Sequence, residues 1–466
     1  MKYVSTRGTA PVLSFEDAMI SGLARDGGLY VPEQVPVFSV VELKGLRGKP
    51  FADVAYAVAS RFSAGSIPDA DLRRMVDEAY ATFSHKAVTP LKQLDANHFL
   101  LELFHGPTIA FKDVAMQLLA RLMDWSLERS KTRATIVGAT SGDTGGAAIE
   151  AFKHNQNASI FVLHPHGKVS DVQRRQMTTV NAPHVHNIAL QGTFDDCQAI
   201  VKALFNDHAF RDASRLAGVN SINWVRVMAQ ISYYIYAGLA LGAPDRAISF
   251  TVPTGNFGNV FAGLMAKRMG LPIDRLVVAT NANDILDRTI KSGRYEVKGV
   301  HATTSPSMDI QVSSNFERLV YLANNRDAAA VVRAMDGLKQ SGAFSLASEA
   351  LQSIRNEFDS GATGEAETAE TIRTLLAETG ELLDPHTAVG VAVARKSLGV
   401  APMVTLATAH PAKFPDAVLA ASGIRPNLPQ RLEHLLQAKE SFTVLPNSVD
   451  VVKDFIKTQT KMGASL

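Results

Sequence analysis

The sequence predicts an α/β protein built on open, mostly parallel sheets covered by helices, with a helical N-terminal unit. Three stretches carry that prediction: ATIVGATSGDTGGAAIEAF, ISFTVPTGNFGNVFAGLMAKRM and MVTLATAHPAKFPDAVLAA each pass from a short β-branched run through a polar turn into a helical segment. Strands that alternate with helices pair in parallel, because the helix carries the chain back to the edge where the strand began. In such sheets ligands sit beyond the carboxyl ends of the strands, so these three turns are where a site is expected.

Composition bounds the rest. A chain of 466 residues with 46% hydrophobic and 20% charged residues is globular, not disordered or coiled-coil. Lys plus Arg (47) against Asp plus Glu (45) leaves +2, too small an excess for a nucleic-acid footprint. The single cysteine, Cys197, excludes an intrachain disulfide and a thiolate metal cluster, which fits a reducing compartment and makes the cytoplasm the default. The N-terminal stretch has no apolar h-region and carries Glu16 and Asp17, so a signal peptide is not expected. Val227 to Pro244 is the one stretch resembling a membrane span, but Gln230, Ser232 and three tyrosines interrupt it, and it reads as a buried helix.

Residues 1–95 alternate amphipathic helical stretches with turns and read as a helical N-terminal unit. Residues 131–219 are expected to form a small mobile α/β unit, and 96–130 with 220–466 a large one. Residues 325–380, rich in Ala, Glu and Arg at helical spacing, read as a helical insertion in the large unit.

Thr140-Ser141-Gly142-Asp143-Thr144-Gly145-Gly146 joins a strand to a helix, and free amides with hydroxyls at a helix N-terminus suit a carboxylate or phosphate. A plain helix cap from Ser141 or Asp143 is the alternative. Thr254-Gly255-Asn256-Phe257-Gly258-Asn259 repeats the design and is able to cradle one phosphate. Its glycine spacing is not that of a dinucleotide turn or a Walker loop, although Asp284 after the next strand keeps a nicotinamide-dependent oxidoreductase in view. Lys112 lies among apolar residues that would desolvate its ammonium and free an amine for Schiff-base chemistry; a lysine snorkelling from a helix is the rival. His164 with His166 and His184 with His186 alternate as zinc ligands can, but no third ligand is apparent, so no metal is expected.

Together, HGPTIAFKD, GATSGDTGG, VNSINWVR, VPTGNFGN, ATNANDIL, SPSMDIQVSSNFERLV, DPHTAVG and LATAHPAKFP resemble the threonine synthases of the longer bacterial and fungal branch. These are pyridoxal-phosphate enzymes of the tryptophan-synthase β-chain fold type, fold type II. The resemblance implies that Lys112 joins the cofactor and that the amides of Gly255, Asn256, Phe257, Gly258 and Asn259 hold its phosphate. Thr408 would face the pyridine nitrogen; a strand-end threonine bonded only to backbone is the plainer reading. The loop Thr140, Ser141, Gly142, Asp143, Thr144 would take the substrate carboxylate. Thr144, Asn220, Ser221 and Arg226 would take the substrate phosphate, against a helix-surface role for Arg226. At Asp143 the wider fold type usually carries asparagine, which touches the cofactor's 3-oxygen, so the ionisation of Asp143 is left open.

The activity implied is conversion of O-phospho-L-homoserine and water to L-threonine and phosphate by a monomer or homodimer, with no nucleic-acid or membrane partner. A dehydratase of the same fold would share the lysine and the cofactor loop but would not need the second phosphate site.

Overall fold

The computed structural model describes residues 1–463. Two sheets organise it. The larger has six strands in the order Phe358–Ala362, Ile273–Thr280, Ile248–Pro253, Met403–Ala407, His98–Glu102 and Leu91–Gln93, parallel except for the last pair. The smaller has five parallel strands, Thr443–Pro446, Val185–Gln191, Ala158–Pro165, Ala134–Ala139 and Leu216–Ala217. The central strands are buried on both faces because helices cover them; all six residues of Ile248–Pro253 are buried, Ser249 and Thr251 included.

Three boundaries differ from the sequence expectation. Leu91–Gln93, assigned to the N-terminal unit, pairs antiparallel with His98–Glu102 and closes one edge of the large sheet. The 325–380 insertion is not wholly helical: between helices Ser348–Glu357 and Glu365–Thr379, Phe358–Ala362 forms the opposite edge strand, parallel to Ile273–Thr280. Only Phe358 of that strand is buried, so it lacks the alternation that would have marked it. At the C-terminus, Thr443–Pro446 pairs with Val185–Gln191, and Val452 and Ile456 pack with Val201 and Leu204. Residues 443–463 therefore belong with the small sheet, not with the large unit.

The N-terminal unit is mostly helical, with helices Phe15–Ser21, Val40–Leu46, Phe51–Ser63 and Asp69–Tyr80 beside an antiparallel ribbon of Tyr3–Ser5 and Tyr30–Pro32. The stretch resembling a membrane span is the core of helix Trp224–Ala240, buried on nearly every face. Helix Phe51–Ser63 docks on it through Phe51 against Tyr236 and Phe62 against Trp224, with ring centroids 5.4 and 5.5 Å apart. Each such fully buried Phe contributes about 1.5–3 kcal/mol by leaving water. No helix among the described residues is long and apolar enough to cross a membrane.

Candidate active site

The three turns meet. Those after Ala134–Ala139, Ile248–Pro253 and Met403–Ala407 line one cavity of about 420 Å³, within the range of small-molecule sites. Of the residues to which the resemblance gives a role in the site, all but Gly142 form its wall.

Lys112 opens helix Lys112–Ser130, and two contacts fix where that helix starts. The Phe111 amide donates to the Thr408 carbonyl at 2.8 Å, tying the helix to the end of Met403–Ala407. The Asp113 carboxylate accepts from the Thr108 amide and hydroxyl at 2.8 and 2.6 Å, closing the preceding turn. Gly106 lets that carboxylate in, since a Cβ there would lie 2.4 Å from the Asp113 Cβ. Lys112 Nζ stands 3.3 Å from Asp143 Oδ2 and 3.4 Å from Ser307 Oγ. Burial pushes the Lys112 amine below its ordinary pKa; Asp143 opposes this, while the Lys413 and Arg226 cations add to it.

Asp143 is bracketed by cations. Its Oδ1 lies 3.0 Å from the fully buried Lys413 Nζ and accepts from Gln173 Nε2 at 2.8 Å. Burial alone would push this carboxyl up, but Lys112 and Lys413 outweigh it and, with Gln173, hold it well below the usual carboxylate range. The two ammoniums and Gln173 thus favour the ionised form of Asp143.

The helix cap in this loop comes from neither Ser141 nor Asp143. Thr140 Oγ1 accepts from the Gly142 and Gly145 amides, both at 2.9 Å, so its hydroxyl is engaged by the loop itself. Ser141 and Thr144 face the cavity. Gly142 has φ +142° and lies off the wall; a Cβ there would stand 2.5 Å from the Gln173 side chain, so its absence admits the glutamine that binds Asp143.

The second turn is an amide cradle. The Gly255 carbonyl accepts from Ser313 Oγ at 2.7 Å, and the Asn256 carbonyl from the Asn315 amide and Nδ2, both at 3.0 Å. With the carbonyls held outward, Phe257 in the left-handed region (φ 62°) turns the chain into helix Gly258–Arg268. Among the described residues no protein acceptor takes the amides from Gly255 to Asn259. Asn259 Oδ1 accepts from the Tyr233 and Tyr234 hydroxyls, leaving its buried Nδ2 without a partner. Orphaned donors at a helix N-terminus suit a phosphate.

Arg226 is not a helix-surface arginine. It is buried in the first turn of Trp224–Ala240, its Nη1 donates to the Val219 carbonyl at 3.3 Å, and its Nε has no partner. Burial lowers its pKa to about 10. Asn220 and Ser221 share its part of the wall, with Ser221 Oγ 3.3 Å from Ser314 Oγ. Thr408 follows Met403–Ala407; its amide donates to Thr387 Oγ1 at 3.2 Å, and the residue lines the cavity.

Four participants were not singled out. Lys413, Ser307 and His386 lay inside quoted motifs without a role, and Gln173 had no signal. His386 Nε2 accepts from the Ser307 amide at 3.2 Å, so Nδ1 carries the proton toward Asp384 Oδ1 at 2.9 Å. Asp284, the acid that kept the oxidoreductase in view, is off the wall and accepts from Arg288 Nε at 2.7 Å.

The chain matches three family models: Threonine synthase N terminus over residues 2–80, Pyridoxal-phosphate dependent enzyme over 83–408, and Threonine synthase, C-terminal over 387–456, the last two overlapping. It is 52% identical over 470 residues to a Pseudomonas aeruginosa threonine synthase, with 100% of each chain covered. The chain belongs to the threonine synthase family. A PLP-bound threonine synthase from Brucella melitensis superposes with TM-score 0.96 at 61% identity, over 98% of this chain and 99% of that one. The yeast threonine synthase structure gives 0.92 at 40% identity, over 99% of each. The architecture is that of pyridoxal-phosphate fold type II. The residues present fit that cofactor: a buried amine at Lys112 lies in the same cavity as five amides without acceptors and the unpartnered Asn259 Nδ2.

Proposed function

We propose that this chain is a threonine synthase, a carbon–oxygen lyase that converts O-phospho-L-homoserine and water to L-threonine and phosphate. One observation supports the substrate: the cavity holds two anion sites, the 255–259 amides and the buried Arg226 guanidinium. A cofactor phosphate needs only the first. A dehydratase would leave Arg226 buried with an unpartnered Nε and no task.

In this reading Lys112 joins pyridoxal 5'-phosphate, the amides of Gly255, Asn256, Phe257, Gly258 and Asn259 take its phosphate, and Asp143 and Thr408 complete its set. When bound, the cofactor supplies the electron sink that stabilises negative charge on the substrate carbons. The loop Thr140, Ser141, Gly142 takes the α-carboxylate, its amides serving where the Thr140 hydroxyl is engaged. Thr144, Asn220, Ser221 and Arg226 take the substrate phosphate, where a guanidinium grips two oxygens at once.

Freed when the substrate amine takes its place on the cofactor, Lys112 Nζ would remove the α-proton, return that proton to the substrate–cofactor adduct, and so be neutral again to remove a β-proton. Its burial favours the neutral amine that a base must be. Arg226 stabilises the departing phosphate. The unit on the five-stranded sheet, which carries Ser141, Asp143 and Thr144, closes over the substrate and excludes water until the β-carbon is ready to accept it. A cytoplasmic monomer or homodimer acting on a small molecule completes the reading, and the single, buried Cys197 is compatible with that compartment.

Purified protein given O-phospho-L-homoserine should release phosphate and threonine in equal amounts, and its visible band should vanish on borohydride reduction. Release of 2-oxobutyrate in place of threonine would favour the eliminating enzyme, and a chain without a reducible band would not be a pyridoxal enzyme.

A further inference from the structure

Beside the lysine assigned to the chemistry stands a second one that takes no part in it. Lys413 closes the short turn Pro411–Lys413 after strand Met403–Ala407, and its side chain is 0% exposed. Its ammonium donates to the Thr108 carbonyl and Gln176 Oε1, both at 2.9 Å, and forms an ion pair with Asp143 Oδ1 at 3.0 Å. The buried Asp143 carboxylate thus bridges two ammoniums, Lys112 on Oδ2 and Lys413 on Oδ1.

Those two cations are not equivalent. The charge on Lys112 changes as it acts, because a base must be neutral before it accepts a proton. A buried carboxylate that lost its only cation would take a proton or leave its place, since an unpaired buried charge costs several kcal/mol. Lys413, held by two hydrogen bonds and an ion pair with no exposure, cannot swing away.

We propose that Lys413 is a positioning residue of the reaction, a permanent counter-ion that keeps Asp143 ionised and in place whenever Lys112 gives up its charge. This rests on Lys112 being the amine that joins the cofactor. The other groups facing the trio are His386 toward Asp143, Arg226 toward Lys112 and Asp113 toward Lys413. The network also spans the two sheets: Asp143, Gln173 and Gln176 follow strands of the small one, while Thr108, Lys112 and Lys413 lie against the large one. Closure of one unit on the other would therefore keep the pair aligned.

The test is the pH midpoint of the visible band of the pyridoxal-phosphate holoprotein, which a merely structural lysine would not move. Lys413→Met leaves Asp143 unbalanced beside the cofactor-linked nitrogen, and should raise the midpoint by about one pH unit or more. Asp143→Asn should lower it. The double variant Asp143→Asn/Lys413→Met, neutral at both positions, should return to within about half a unit of the parent. A folded Lys413→Met holoprotein that titrates with the parent overturns the proposal. If Lys413→Met does not fold, equal midpoints for Asp143→Asn and the double variant overturn it instead. Absence of a visible band in the parent would reject the assignment of Lys112, a different failure from a band that ignores Lys413.

Discussion

Lys112 Nζ and Asp143 Oδ2 lie 3.3 Å apart with both side chains buried, yet neither depends on the other to be tolerated inside the protein. Asp143 keeps Lys413 when Lys112 is lost, and Lys112 has a neutral state open to it. Lys112→Ala should therefore fold, with an unfolding midpoint near the parent's, while losing the borohydride-reducible band and threonine formation. Circular dichroism, mass after borohydride treatment and product assay check the three parts. Near-parental turnover in that variant would remove Lys112 from the mechanism.

In the proposed function, Arg226 is the group that takes the substrate phosphate most specifically. Arg226→Ala should weaken binding of O-phospho-L-homoserine by about 2–4 kcal/mol, the scale for removing one member of a buried charge pair. Pyridoxal-phosphate affinity, which the proposed function rests on the 255–259 amides, should barely change. Parallel titrations with substrate and cofactor separate the two, and an equal loss of both would give Arg226 to the cofactor or to the fold.

What the sequence revealed follows from the range over which its signals act. The three strand-turn-helix units were legible because each is local, and strand polarity alone brings their turns to one side of a sheet. The desolvation of Lys112 could be read from its apolar neighbours, but the burial of Arg226 could not, because it depends on helices packing from distant parts of the chain. Lys413 stood in the quoted stretch LATAHPAKFP without a role: its partner Asp143 is 270 positions away, and no local period reports a contact at that separation. The strand Thr443–Pro446 was missed for the same reason, since half-exposed edge residues joining a sheet formed some 250 residues earlier leave little pattern.

The fold carries its own acid sensitivity at His98. This residue is 1% exposed, and its Nε2 pairs with Thr405 Oγ1 at 2.8 Å between neighbouring strands of the large sheet. Burial lowers its pKa from 6.5 to about 4, with Asp95 opposing and Arg395 assisting. The folded state thus binds fewer protons than the unfolded chain between those values. The stability this contributes is complete above about pH 6.5 and is lost as pH falls toward 4, by at most about 3 kcal/mol. His98→Gln, which keeps a polar partner for Thr405 without titrating, should flatten the unfolding free energy over that window. Identical slopes for variant and parent from chemical denaturation at several pH values would show that His98 is protonated without penalty.

Gly255 offers the sharpest check on the cradle. A Cβ there would lie 2.7 Å from the Ser307 carbonyl oxygen and 3.2 Å from Met308 Cα, so the turn and the neighbouring 307–308 backbone would have to move apart. At Gly258 the nearest atom is the Asn315 Nδ2 at 3.2 Å, the end of a side chain that can shift by a few tenths of an ångström. At Gly45, in helix Val40–Leu46, nothing lies within 4 Å. Alanine at the three positions should therefore act in graded fashion. Gly255→Ala should cost about 1–3 kcal/mol of stability through overpacking. Because Gly255 itself, which carries one of the converging amides, would be pushed away from that backbone, the change should also weaken pyridoxal-phosphate binding at least about tenfold, each lost anion–amide bond being charge-assisted. Gly258→Ala should show a smaller loss of both, and Gly45→Ala should be neutral or stabilising by up to about 1 kcal/mol. Thermal unfolding of the cofactor-free proteins measures the first effect and fluorescence titration with pyridoxal phosphate the second. If Gly255→Ala bound the cofactor as tightly as the parent, the phosphate would have to be held elsewhere and the 255–259 turn would be only a helix start.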